Sequence, residues 1–251
     1  MTADRAELLS WVRSRRWFYE FPLPDGGATD CDAMEEVRAL HRSRRDAMRM
    51  VLTDVFGDEL SAAEAIDLAS HEGWFSLELA SRMRAVRGYD VNLESVEAAR
   101  RMAALQGVAN VAFTHCDIRD LERERVEPAD AVLMYGLLYH VEDPIRILRI
   151  ASDLARRVVL IETQVTGVEL EMDVEFGHHR WMRPVHGIFA LIDDDDNREG
   201  GNTGLAMIPS PQALKHCLSR FGFSRVQTVP ISLDGPEQLA RKRRVIIAGI
   251  R

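Results

Sequence analysis

The sequence predicts an α/β fold around a mostly parallel sheet, and three observations predict it. Segments of strand length and character recur at Ala65 to Leu68, Ala85 to Val91, Val111 to Cys116, Ala131 to Leu138 and Val158 to Ile161. Stretches of helical periodicity separate them, the alternation expected of parallel strands joined by right-handed crossovers. Acidic residues, Asp67, Asp90 and Asp117, close the first three runs, where an open α/β sheet binds its ligands.

In chain order, Ala3 to Arg16 predicts a helix, followed by the aromatic cluster Trp17 to Phe21 and the turn signal Pro22 to Gly27. A second helix is predicted over Met34 to Phe56, and the pair is expected to form a lid on one side of the nucleotide crevice. The first strand leads through the turn Ala69 to Gly73 into a helix running to Met83, and the second into a helix from Leu93 to Leu105. Pro144 suits the first turn of the helix after the fourth strand. After the fifth strand the rhythm breaks from Thr163 to Ile208, too long for an ordinary connection and rich in His, Asp, Gly and isolated aromatics. Ser210-Pro211 opens a last helix through Phe221, and strands at Ser224 to Val229 and Val245 to Ile250 complete seven. The expected architecture is Rossmann-like: a mostly parallel seven-stranded sheet with helices on both faces. Residues 1–251 read as one domain, with 1–60 as a helical lid and 163–208 as an insertion.

At 251 residues, with 46% hydrophobic and 29% charged, the chain has the composition of a globular protein with a sizeable core. The net charge of −8 repels phosphate on average, so nucleic acid is a disfavoured partner. The basic run Arg241 to Arg244 reads as a solvated turn before an edge-proximal strand. No apolar run approaches the roughly 18–20 residues a membrane span needs, and no early segment resembles a secretory signal, so a cytoplasmic protein without a membrane partner is expected. Cys31, Cys116 and Cys217 are far apart, with no CxxC, and read as reduced thiols. His178 and His179 lack the i,i+4 spacing and a third ligand, so no metal is expected, and Asp193 to Asp196 reads as a solvated loop.

The turn Ala69-Ser70-His71-Glu72-Gly73 leads into a helix whose first amides can approach a carboxylate. Asp90, at the end of the second strand, has the spacing of an acid that binds ribose hydroxyls, and Asp117, followed by Ile118, is placed to accept from an adenine amino group. Through these residues, over roughly Ala63 to Ile161, the chain resembles the class I S-adenosylmethionine-dependent methyltransferases. Ala69 and His71 stand where that family usually has glycine. The segments Gly136 to Pro144 and Trp17 to Gly26 are similar to those of a narrower group, the wobble-uridine tRNA methyltransferase-like enzymes. The resemblance implies S-adenosylmethionine as cofactor, in-line attack on its methyl group, and a lid over cofactor and acceptor.

For the acceptor, His140 lies just beyond the fourth strand and is the first candidate for a general base. Glu162, at the end of the fifth strand, and His178 and His179 in the insertion are further catalytic candidates. Trp17, Tyr19, Tyr139, Arg180 and Trp181 are candidates for acceptor binding, so the insertion is expected to build the acceptor pocket. The leading expectation is methyl transfer to oxygen, nitrogen or carbon of a small molecule, with tRNA wobble-uridine modification as the alternative. A nicotinamide-dependent oxidoreductase fits less well because Asp67 to Gly73 lacks GxGxxG. A non-catalytic nucleotide-binding protein and assembly of identical chains stay open.

Overall fold

A computed structural model describes residues 3–168, 171–176, 181–194, 204–230 and 243–251. Seven strands form one sheet: β1 (Glu64–Leu68), β2 (Ala85–Asp90), β3 (Val111–His115), β4 (Ala129–Tyr135), β5 (Ala155–Gln164), β10 (Arg225–Thr228) and β11 (Arg244–Ile250). Their spatial order is β10-β11-β5-β4-β1-β2-β3. β1 pairs in parallel with both β2 and β4, so the order reverses there and opens a crevice beyond the strand ends. β11 runs antiparallel between β5 and β10.

Helices α1 (Ala3–Ser14), α2 (Glu35–Phe56), α3 (Trp74–Ala80) and α4 (Leu93–Gln106) cover one face, and α5 (Pro144–Leu154) and α6 (Pro211–Arg220) the other. Their ends follow local chemistry. Asn92 Oδ1 accepts from the amides of Glu94 and Ser95 at the start of α4, and Gly107 closes that helix at φ +72°. Pro144 and Pro211 occupy first turns, where the missing N–H costs nothing.

Alternation along the strands divides the core and aims the polar residues. Ala131, Leu133 and Tyr135 of β4 join the cluster under α2, whereas Val132 and Met134 join the one under α5. Val158 and Leu160 of β5, and Ile246 and Ala248 of β11, also face α2. By the same parity Glu162 and Arg244 fall on the α2 side.

Several boundaries differ from expectation. β4 stops at Tyr135 rather than Leu138, because Gly136 turns the chain at φ +78° and a 3₁₀ turn spans Leu138–His140. β5 runs past Ile161 to Gln164, since β11 pairs with it along that length, so Glu162 lies within the strand rather than at its end. α3 ends at Ala80, short of Met83. The stretch after β5 also contains regular structure: β6 (Glu171–Phe176) pairs with β7 (Trp181–His186), and β8 (Phe189–Asp193) with β9 (Leu205–Pro209). Among the described residues, no helix is long and apolar enough to cross a membrane.

Candidate active site

A cavity of about 740 Å³ opens beyond the ends of β1 to β4. One half is bounded by Ala69, His71, Asp90, Asp117 and Ile118, which end or follow the first three strands. The other is bounded by Tyr135, Tyr139, His140 and Arg244, with His41 and Arg44 reaching in from α2.

The turn after β1 keeps a glycine-like path without glycine at two of its three special positions. Ala69 and His71 have φ +59° and +49°, and Gly73 has +81°. Left-handed backbone costs an L-residue roughly 1–2 kcal/mol, so the turn is held by its neighbours. Asp90 supplies that hold: Oδ2 accepts from the His71 amide at 2.7 Å and Oδ1 from the Asn92 amide at 2.8 Å. A carboxylate has about four lone-pair sites, which leaves capacity for a vicinal diol. Behind the turn, a Cβ on Gly73 would sit 2.6 Å from the Phe113 ring, and one on Gly88 would meet the same ring and Ser70 Oγ.

Asp67, Ser70 and Gly73 shape this turn from behind and do not line the cavity. Asp67 is buried and accepts from Ser76 Oγ at 2.6 Å; burial pushes its carboxyl up to about 7, with Ser76 opposing and Asp90 adding to the rise. The folded chain therefore holds this proton more tightly than the unfolded one. That contribution to stability is complete below about pH 4 and is lost as pH rises to about 7. Asp67→Asn is expected to flatten the decline, an effect of up to roughly 4 kcal/mol, read by urea unfolding between pH 4 and 8. An unchanged slope would rule out Asp67 as its source.

Asp117 lines the cavity, but its carboxylate is engaged by the Arg119 amide and guanidinium, at 2.6 Å for the closest contact. That pairing holds its pKa below the usual carboxylate range. For Asp117 to accept from an adenine amino group, it would share its oxygens with Arg119.

In the second half, Glu162 is fully buried and bridges two arginines: Arg44 Nη2 lies 2.7 Å from Oε2 and Arg244 Nη1 3.1 Å from Oε1. Arg244 also donates to Tyr139 Oη and sits over the Tyr139 ring, so the expectation of a solvated basic turn is corrected at Arg244. Burial opposes the Arg44 charge, but Glu162 more than offsets it and raises the guanidinium pKa. Glu162 thus clamps the arginines and does not line the cavity. His140 does line it, and its Nδ1 lies 3.0 Å from Asp194 Oδ2. An ionised carboxylate only accepts, so Nδ1 carries the proton and Nε2 is the basic nitrogen. Asp194, expected in a solvated loop with Asp193, is instead a partly buried partner; Asp193 ends β8, and 195–196 lie outside the described residues.

Trp17, expected in the lid, is wholly buried: its Nε1 donates to Val12 O and its ring packs on Phe21, away from the cavity. Phe18 and Tyr19 line the cavity in its place. Their amides donate to Glu72, which also receives Arg15, so this carboxylate ties the aromatic segment to the cofactor turn. Nothing in the sequence marks Glu72 beyond its place in the turn. His41 and Arg44 were missed too, although a signal existed: they fall on the same helical stripe as Leu40, Ala47, Met48, Val51 and Leu52. His178, His179 and Arg180 lie outside the described residues, and Trp181 is placed only as the first residue of β7.

A family model for methyltransferase domains matches residues 59–182. The chain carries a class I S-adenosylmethionine-dependent methyltransferase domain. This methyltransferase is 24% identical over 200 residues to the ubiquinone biosynthesis O-methyltransferase of Vibrio vulnificus (strain YJ016), covering 73% of this chain and 83% of that protein. It shares its fold with the N-terminal domain of EvdMO1 with SAH bound, at TM-score 0.73 and 18% identity over 100% and 98% of the two chains. Magnesium protoporphyrin IX methyltransferase from Synechocystis PCC 6803 with bound SAM also shares it, at TM-score 0.58 and 15% identity over 100% and 98%.

The residues present fit the cofactor. Asp90 retains acceptor capacity at the cavity wall, the chain reverses before α3 on the positive-φ residues Ala69, His71 and Gly73, and the Phe113 ring leaves no room for a side chain at Gly73 or, in β2, at Gly88.

Proposed function

We propose that the methyltransferase transfers a methyl group to a hydroxyl oxygen of a small molecule. The observation that carries this reading is one cavity joining the strand-end acids Asp90 and Asp117 to a second half bearing the His140–Asp194 pair. S-adenosylmethionine, when bound, supplies an electrophilic methyl carbon on a sulfonium. In this reading Asp90 holds the ribose, the amides of the turn and α3 meet the carboxylate end, and Asp117 and Ile118 meet the adenine. His140 takes the hydroxyl proton on Nε2, with Asp194 fixing its tautomer and steadying the imidazolium. The β8–β9 hairpin supports an acceptor-side role for the insertion: Leu205 lines the cavity, and the Met207 amide donates to Val141 O beside His140. The O-methyltransferase name of the Vibrio relative points the same way.

Titration calorimetry with S-adenosylhomocysteine, followed by labelled-methyl transfer to a panel of hydroxylated metabolites, tests the reading. Stoichiometric binding and label recovered as an ether are expected; label recovered only on nitrogen, or stoichiometric binding of a nicotinamide nucleotide instead, would overturn it. The tRNA reading rests on the likeness of Gly136 to Pro144 and Trp17 to Gly26 to the wobble-uridine group, and the net charge of −8 places it second. Tight, steeply salt-dependent tRNA binding with wobble-uridine methylation would reverse that order.

A further inference from the structure

Three buried polar atoms on residues that line the cavity have no protein partner among the described residues: His41 Nε2, Arg44 Nε and Tyr135 Oη. A buried polar group left unpaired costs roughly 1–3 kcal/mol, so three around one cavity mark a polar ligand. Arg44 and Tyr135 lie in the half beside Glu162, and His41 borders it across the Phe18 and Tyr19 rings from His71. Tyr135 ends β4, and His41 and Arg44 stand one helical turn apart on α2. The Tyr19 and Phe18 ring centroids lie 4.5 and 5.2 Å from that of His41, and both residues line the cavity, giving this half an aromatic wall.

We propose that this half takes a planar hydroxyl compound, a phenol or an enol, and that Tyr135 Oη and His41 Nε2 hold its reacting oxygen as the oxyanion beside the Arg44 guanidinium. The proposal rests on the O-methylation reading above and names the acceptor class for that site. Two features favour an oxyanion over a neutral hydroxyl. Burial, and then the Arg44 charge, push His41 down to about 3, so its imidazole stays neutral at working pH; in the tautomer with its proton on Nε2 it meets the ligand as a hydrogen-bond donor. Burial likewise raises the Tyr135 hydroxyl pKa, which keeps its proton in place for donation. Two fixed donors and a nearby guanidinium form a preorganised site for negative oxygen. The acceptor's hydroxyl proton passes to His140; the oxyanion then forms the new O–C bond while the C–S bond breaks and its electron pair stays on sulfur.

The test uses the full chain saturated with S-adenosylhomocysteine and 4-nitrophenol as probe, whose phenolate absorbs in the visible. Calorimetry first establishes that S-adenosylhomocysteine binds wild type and variants; if it does not, the methyltransferase site itself fails, apart from this proposal. Bound 4-nitrophenol is expected to ionise about tenfold more readily than the free phenol, as an opposite charge nearby dictates. Tyr135→Phe, which removes only the hydroxyl, and His41→Leu are each expected to lose several-fold of that gain, and His41→Gln to restore part of it. Failure of 4-nitrophenol to bind the S-adenosylhomocysteine complex, bound probe ionising as it does in water, or unaltered ionisation in both Tyr135→Phe and His41→Leu would overturn the proposal.

Discussion

Glu162→Ala is expected to lower the stability of the methyltransferase by about 3–5 kcal/mol, the typical cost of stranding a buried charge. Glu162 has no solvent exposure, and both arginines it joins are nearly buried, so their guanidinia are poorly hydrated when the carboxylate goes. The loss is larger than that of an exposed ion pair, which is worth about 0–1 kcal/mol, because the low-dielectric surroundings magnify the charge left on Arg44. Arg44 arrives from α2, Glu162 from β5 and Arg244 from β11, so the substitution also loosens the packing of that helix on the sheet. The urea midpoint measures the effect. The double variant Arg44→Met with Glu162→Leu should recover much of the loss, since it strands fewer charges. A change below about 1 kcal/mol in the single variant would mean that water enters the cluster.

Asp90→Ala is expected to weaken S-adenosylhomocysteine binding by roughly 1–3 kcal/mol, a fall of about five- to 150-fold. Two losses combine. The carboxylate that would meet the ribose diol disappears, and the His71 and Asn92 amides lose their acceptor. Since His71 is held at positive φ by that bond, the turn is expected to relax, which links binding to local order. Asp90→Asn should fall between wild type and Ala, because one oxygen remains and one becomes a donor facing an amide N–H. Calorimetry at constant pH, with thermal unfolding confirming a folded variant, measures this. An affinity within twofold of wild type would remove Asp90 from the cofactor site.

The strands and their order of appearance were legible because the central ones, buried on both faces, leave runs of apolar residues, and Asp67, Asp90 and Asp117 stand at or just after the ends of the first three strands. The sequence carried less about roles among them. Asp67 and Asp90 are both acids after strands, yet Asp67 turns inward to Ser76 while Asp90 remains at the cavity wall. That difference depends on α3 closing over one and not the other. Trp17 and Phe18 are adjacent aromatics after a helix; which one is core follows from packing against Val12 and Phe21.

By itself, the sequence determined the alternating α/β architecture and the position of the strand-end acids, because periodicity and spacing act over a few residues to a few tens; the cofactor class followed from the family resemblance those residues carry. Only the tertiary structure decided the acceptor half. Its parts are separated along the chain: His41 and Arg44 on α2, Tyr135 at the end of β4, Glu162 within β5, Asp194 after β8 and Arg244 opening β11. No local pattern relates them. They meet because β5 and β11 pair antiparallel, strand alternation turns Tyr135, Glu162 and Arg244 to one face, and α2 lies across that face.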